Sequence, residues 1–157
     1  MNTLEEIIQR IHYSIDFVEE NIFKPVSSIE MAQAAGYSLF HFQRMFRDTT
    51  GITPKAYLRA RRLTMAAQEL RGSDTDIIYI SEDAGFESQA SFTKAFRKQY
   101  GIAPGKFRKS VVQDFNQNQS CITYADMRGN LEQFRDENGP KSRTYGVQSH
   151  LGFAVAA

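Results

Sequence analysis

Phe40, Gln43, Arg44 and Arg47 recur at the i, i+3, i+4, i+7 spacing that places side chains on one face of a helix. Fifty residues on, Ala90, Thr93, Lys94 and Arg97 repeat the spacing, with Gln89 beside them. These side chains are amides, hydroxyls and long cationic arms, set beside a small or apolar group. None pairs with a general base, so the chemistry they suit is hydrogen bonding to an ordered array of donors and acceptors. Base edges in a DNA major groove present such an array. Amides and bases reach them, and small or apolar groups such as Phe40 and Ala90 meet a thymine methyl. Ser38 and Ser88 stand just ahead of the two faces, at helix N-termini whose backbone N–H groups suit a phosphate.

Other chemistry finds little support. No paired-carboxylate, Ser-His or P-loop constellation occurs, so no enzymatic activity is expected. The single cysteine, Cys121, excludes an intramolecular disulfide and a thiolate metal cage. It lacks His or basic neighbours that would make it a nucleophile. His12 and His41 have no partner at metal-ligand spacing, and His150 is uninterpretable. Neither a metal nor a cofactor is expected.

The elements that must position the two faces are themselves duplicated. Ser38–Pro54 reads SLFHFQRMFRDTTGITP and Ser88–Pro104 reads SQASFTKAFRKQYGIAP, identical at seven of seventeen places. A first helix buries Leu4, Ile7, Ile8, Ile11, Ile15, Val18 and Ile22 and stops before Pro25. Ser27 and Glu30 form an S-x-x-E capping box that opens a short helix closed by Gly36. Ser38 caps the next helix, which turns Phe42, Phe46 and Thr49 inward with Leu39 and Met45 in part. Thr53-Pro54 opens a linker helix with Ala56, Ala60, Leu63, Ala67 and Leu70 on one stripe. The cycle then repeats: a short helix from Ile77 to Gly85, then a longer one capped by Ser88 with Phe92, Ala95 and Phe96 inward. Gly101 and Pro104 end it.

This is an all-α pattern. Two helix-turn-helix subdomains, at about 27–50 and about 76–100, are joined by a linker helix at about 54–71. They make one DNA-binding domain over 1–110, followed by a C-terminal appendage, 111–157, with little core of its own. Its role is unassigned.

Net charge agrees once it is resolved along the chain. The total is only +1. Residues 1–37 carry two bases against six acids, and 72–87 carry five acids and no base. Residues 38–71 carry seven bases against two acids, and 88–110 carry six bases and no acid. Positive charge therefore collects on the repeated segments. Arg47 and Arg97, at the ends of the polar faces, and Arg59, Arg61 and Arg62, on the linker helix, are the candidate phosphate contacts. Lys55 to Leu70 would span roughly 24 Å at about 1.5 Å per residue. With the half-widths of two units, the separation approaches the ~34 Å of one DNA turn. A monomer could then set two recognition helices in successive major-groove segments, reading direct repeats.

Taken together, AGFESQASFTKAFRKQYGIAPGKFR, AAGYSLFHFQRMF, GITPKAYL and ARRLTMAAQEL resemble the AraC/XylS family of bacterial transcription regulators over about residues 4–110. The likeness is nearest to its MarA/SoxS/Rob-like subgroup. That resemblance implies a monomeric activator that contacts RNA polymerase. It also implies base reading by Phe40, Gln43 and Arg44, and by Gln89, Ala90, Thr93 and Lys94. Phe40 stands where the subgroup usually has Trp, Ala90 where a second Gln is common, and Lys94 where Arg is frequent. These departures bear on which sequence is read, not on binding. Ser81 replaces an Ala of the short helix and is tolerable if its hydroxyl bonds back to the helix backbone.

The alternative is a ligand- or partner-sensing regulator in which the tail belongs to an effector-binding module. Fusion of such a domain to a DNA-repair alkyl acceptor would need zinc-held cysteines, which Cys121 alone cannot supply. No segment is apolar enough to cross a membrane, and MNTLEEIIQR lacks the pattern of a signal peptide. The expected location is cytoplasmic, on the nucleoid.

Overall fold

A computed structural model of the chain describes residues 3–110 and, beyond them, Gly129, residues 131–134, Asp136 and Glu137. Over residues 3–110 the elements are α1 (Leu4–Glu20), α2 (Ser28–Ala34), α3 (Leu39–Thr50), α4 (Pro54–Gly72), α5 (Ile77–Asp83), α6 (Gln89–Tyr100) and α7 (Pro104–Lys109). No strand occurs among the described residues, and the fold is all-α as expected. The chain divides into two compact units between Leu58 and Arg59.

In the first unit α1 packs on α2 and α3, and α2 on α3. Ile8, Ile11, Ile15 and Val18 are the buried stripe of α1, while Leu4, Ile7 and Ile22 are only half-buried. Thr3 opens this helix with a capping box closed by Glu6, a T-x-x-E signal overlooked in the sequence. The helix ends at Glu20, ahead of Pro25. There Asn21 donates its side-chain amide to the Phe17 carbonyl at 2.9 Å. Ser27 and Glu30 form the expected box at α2. Phe42 and Phe46 lie fully buried with ring centroids 5.4 Å apart, and Phe46 continues to Tyr57 at 5.9 Å. The Tyr57 hydroxyl donates to Glu19 Oε1 at 2.9 Å, so this buried phenol keeps its polar end satisfied. Leu39, expected partly inward, is exposed at the first position of α3.

The second unit is built around Leu63, Ala66, Ala67 and Leu70 of α4, Ile80 and Ala84, Phe92, Ala95, Phe96 and Tyr100, and Phe107. Phe96 is the hub, with Phe92, Tyr100 and Phe107 rings at 5.5, 4.5 and 5.0 Å. Ala56, placed on the buried stripe from sequence, is exposed, and the larger Tyr57 and Leu58 are buried in its stead. Ser81 is 1% exposed and its hydroxyl donates to the Ile78 carbonyl at 2.6 Å, the back-bond that makes this serine tolerable.

The helix α7 was not anticipated. GIAPGKF nevertheless repeats GITPKAY of the α4 start, and Phe107 is buried just as Tyr57 is. Pro104 occupies the first helical turn, where its missing N–H is harmless. Within the tail, the described residues of 129–137 are helical and Leu131 is fully buried. This leucine is the one buried hydrophobic among the described residues of the tail. Cys121, His150 and most of 111–157 lie outside the described residues.

Candidate nucleic-acid interface

Helix α3 is held by its buried side, so its other side is fixed in orientation. Ser38 is the N-cap, extended at φ −65°, ψ 151°, and its Oγ accepts the His41 N–H at 3.4 Å. The other first-turn N–H groups have no acceptor within the helix. Phe40, Gln43, Arg44 and Arg47 are all exposed. Phe40 is 78% exposed, which removes packing between helices of its own unit as an explanation for an aromatic there. A ring held in water beside an amide and two guanidinium groups is a surface made to meet something apolar and polar together.

The second unit presents a matching surface on α6. Ser88 caps it, its Oγ accepting the Ser91 N–H at 3.1 Å. Gln89, Ala90, Lys94 and Arg97 are exposed and Thr93 is half-buried. They line an open depression together with Lys98, which the sequence reading had not singled out. The available signal was its position, one turn beyond Lys94 on the same face. Arg44, Arg47, Lys94 and Arg97 form no ion pair among the described residues, and their charge is free for an anion.

The linker arginines are placed differently from one another. Arg61 is only 8% exposed, so its side chain is largely covered by protein and it is the least open of the three to a phosphate. Helix-face counting missed this because three arginines in four positions cannot all point outward. Arg62 is half-buried, with its Nη1 3.3 Å from where a Cβ on Gly85 would stand. Arg59 is exposed but lays its guanidinium carbon 5.6 Å from the Phe86 ring centroid.

Nothing in the described residues resembles a metal-binding cluster of His, Cys, Asp or Glu. His41 sits edge-on to Tyr37, with centroids 4.7 Å apart. Among the described residues, Glu30 has its carboxyl held below the ordinary carboxylate value. It is lowered first by the Ser27 hydroxyl and then by the Ser27 backbone N–H, both donating at 2.8 Å. This is the cap chemistry of α2. Among the described residues no helix is long and apolar enough to cross a membrane.

Comparison with known proteins gives this geometry its relatives. The family model described as a helix-turn-helix domain matches residues 31–110. The multiple antibiotic resistance protein MarA of Escherichia coli K12 is 38% identical over 103 residues, covering 66% of this chain and 81% of that protein. The right origin-binding protein of the same organism is 43% identical over 94 residues, covering 60% of this chain and 32% of that protein. Among solved structures, an AraC-type regulator from Chromobacterium violaceum superposes with a TM-score of 0.62 at 27% identity, covering 68% of this chain and 95% of that one. The DNA-binding domain of AdpA, solved in complex with a target DNA, superposes at 0.58 and 26% identity, covering 64% and 90%.

Proposed function

Since the chain belongs to the AraC/XylS family of helix-turn-helix regulators, we propose that it is a DNA-binding transcription regulator that reads its operator through α3 and α6. The observation that carries this reading is the pair of fixed, exposed faces: Phe40, Gln43 and Arg44 on one, Gln89, Ala90, Thr93 and Lys94 on the other. Ser38, Arg47, Ser88 and Arg97 hold the phosphates that set the register. The chain acts as a monomer and places its two helices in successive major-groove segments. The length of α4 supports this, since nineteen residues span roughly 28 Å. It activates transcription by touching RNA polymerase, as the likeness to MarA suggests. It works in the cytoplasm, on the nucleoid, and catalyses no reaction.

The test is an equilibrium titration against duplex DNA at several salt concentrations. Log K should fall linearly with log salt, at about −0.9 per neutralised phosphate. A flat response would contradict DNA binding outright.

A further inference from the structure

The two helix-turn-helix turns share a feature that base reading does not require. In the first unit Arg10, from α1, reaches the turn between α2 and α3. Its Nη1 donates to the Ala35 carbonyl at 3.1 Å, and its guanidinium carbon lies 5.2 Å from the Tyr37 ring centroid. Gly36 has φ +68°, and a Cβ built there would stand 2.6 Å from Arg10 Nη1. Glu6, one turn back on α1, approaches the same guanidinium at 4.0 Å. In the second unit Gly85, at φ +74°, meets Arg62 of α4 in the same way at 3.3 Å. Phe86, forty-nine residues after Tyr37, carries Arg59 over its ring.

The physical need is the same at both turns. The last carbonyls of α2 and α5, beyond those taken by the turn's own N–H groups, are acceptors at the negative end of a helix dipole. A left-handed glycine leaves the backbone open to close approach. A guanidinium suits this place because its edge donates to a carbonyl while its face lies on a ring. One residue performs both tasks in the first unit; in the second, Arg62 lies against the turn glycine and Arg59 lies over the ring.

We propose that Arg10, and Arg62 with Arg59, are positioning residues that clamp the turn and so aim the recognition helix, α3 or α6, at its bases. They do not themselves contact phosphate. The inference rests on the reading of α3 and α6 as recognition helices.

The experiment compares the full chain with Arg10→Met, Arg10→Lys and Arg62→Met on the duplex that the wild-type selects, substituting each base pair in turn. Arg10→Met should lower affinity on the order of tenfold, with discrimination lost only at base pairs read by α3 and the slope of log K against log salt unchanged. Arg62→Met should relax only the other half, and more weakly, because Arg59 remains. Arg10→Lys should fall in between. A uniform loss with the slope reduced by about 0.9 would make Arg10 a phosphate contact. A uniform loss that tracks the folded fraction would make it merely structural. Either result overturns the clamp. Should Arg10→Met fail to fold, Arg10→Lys decides by the same readouts.

Amide exchange separates this idea from the reading it rests on. The Gly36 and Tyr37 N–H groups are hydrogen-bonded at 2.9 Å to the Gln33 and Ala32 carbonyls. Their exchange should quicken in Arg10→Met and Arg10→Lys with no DNA present. Unchanged exchange rejects the clamp whatever the DNA result, and a wild-type chain without base preference rejects the recognition reading instead.

Discussion

Replacing Arg44 with alanine is expected to weaken binding to the cognate duplex by ~1–3 kcal/mol and to relax specificity at the base pair it reads. Lys98→Ala should act otherwise, lowering affinity evenly across sequences and reducing the salt slope by about 0.9 if it meets a phosphate. Arg61 gives the contrast. Its side chain is largely covered by protein, so Arg61→Ala should lower the unfolding free energy while leaving the salt slope of the folded protein unchanged. A changed slope in that variant would show that Arg61 meets DNA after all. The chemical types of these residues were plain in the sequence. Which arginine of Arg59, Arg61 and Arg62 is most covered was not, because that depends on what packs around α4.

At the scale of the elements, stability is set by caps and aromatic cores. Ser27→Ala removes the acceptor for the Glu30 N–H and should cost about 1 kcal/mol. Glu30 adds a pH signature. Its folded pKa lies below the ordinary 4.5, so its contribution is fully present above that value and is lost as pH falls through the lowered folded one. Comparing unfolding of the wild type and Glu30→Gln should therefore show a gap at neutral pH that closes in acid. A gap that widens in acid would reverse the assignment. The starts of α2, α3, α4 and α6 were all legible, because Ser27, Ser38, Thr53 and Ser88 announce them by side-chain chemistry that acts over three residues. The α7 start has no such side chain at Ala103 and was missed. Leu39 and Ala56 were misplaced for a related reason. Periodicity gives a face, but neighbouring large residues decide which members of that face are covered.

For the whole molecule, the duplication means that each unit carries a core of its own. Phe46 and Phe96 occupy matching places, both fully buried, and either change to alanine should cost about 3–5 kcal/mol. The tail adds a further test, because Leu131 is fully buried. Leu131→Ala should destabilise the fold by about 2–5 kcal/mol, whereas a tail without a core role would give no change on thermal unfolding. Sequence periodicity was too weak past Ser110 to reveal this leucine, and a single buried side chain leaves no pattern to count. The central claim is that one chain reads DNA with both of its repeated helices. Selecting bound sequences from a random duplex pool with the purified full-length protein tests it most directly. The expected result is one bipartite motif, its elements about one helical turn apart. A motif of half that length, or no enrichment at all, would contradict it.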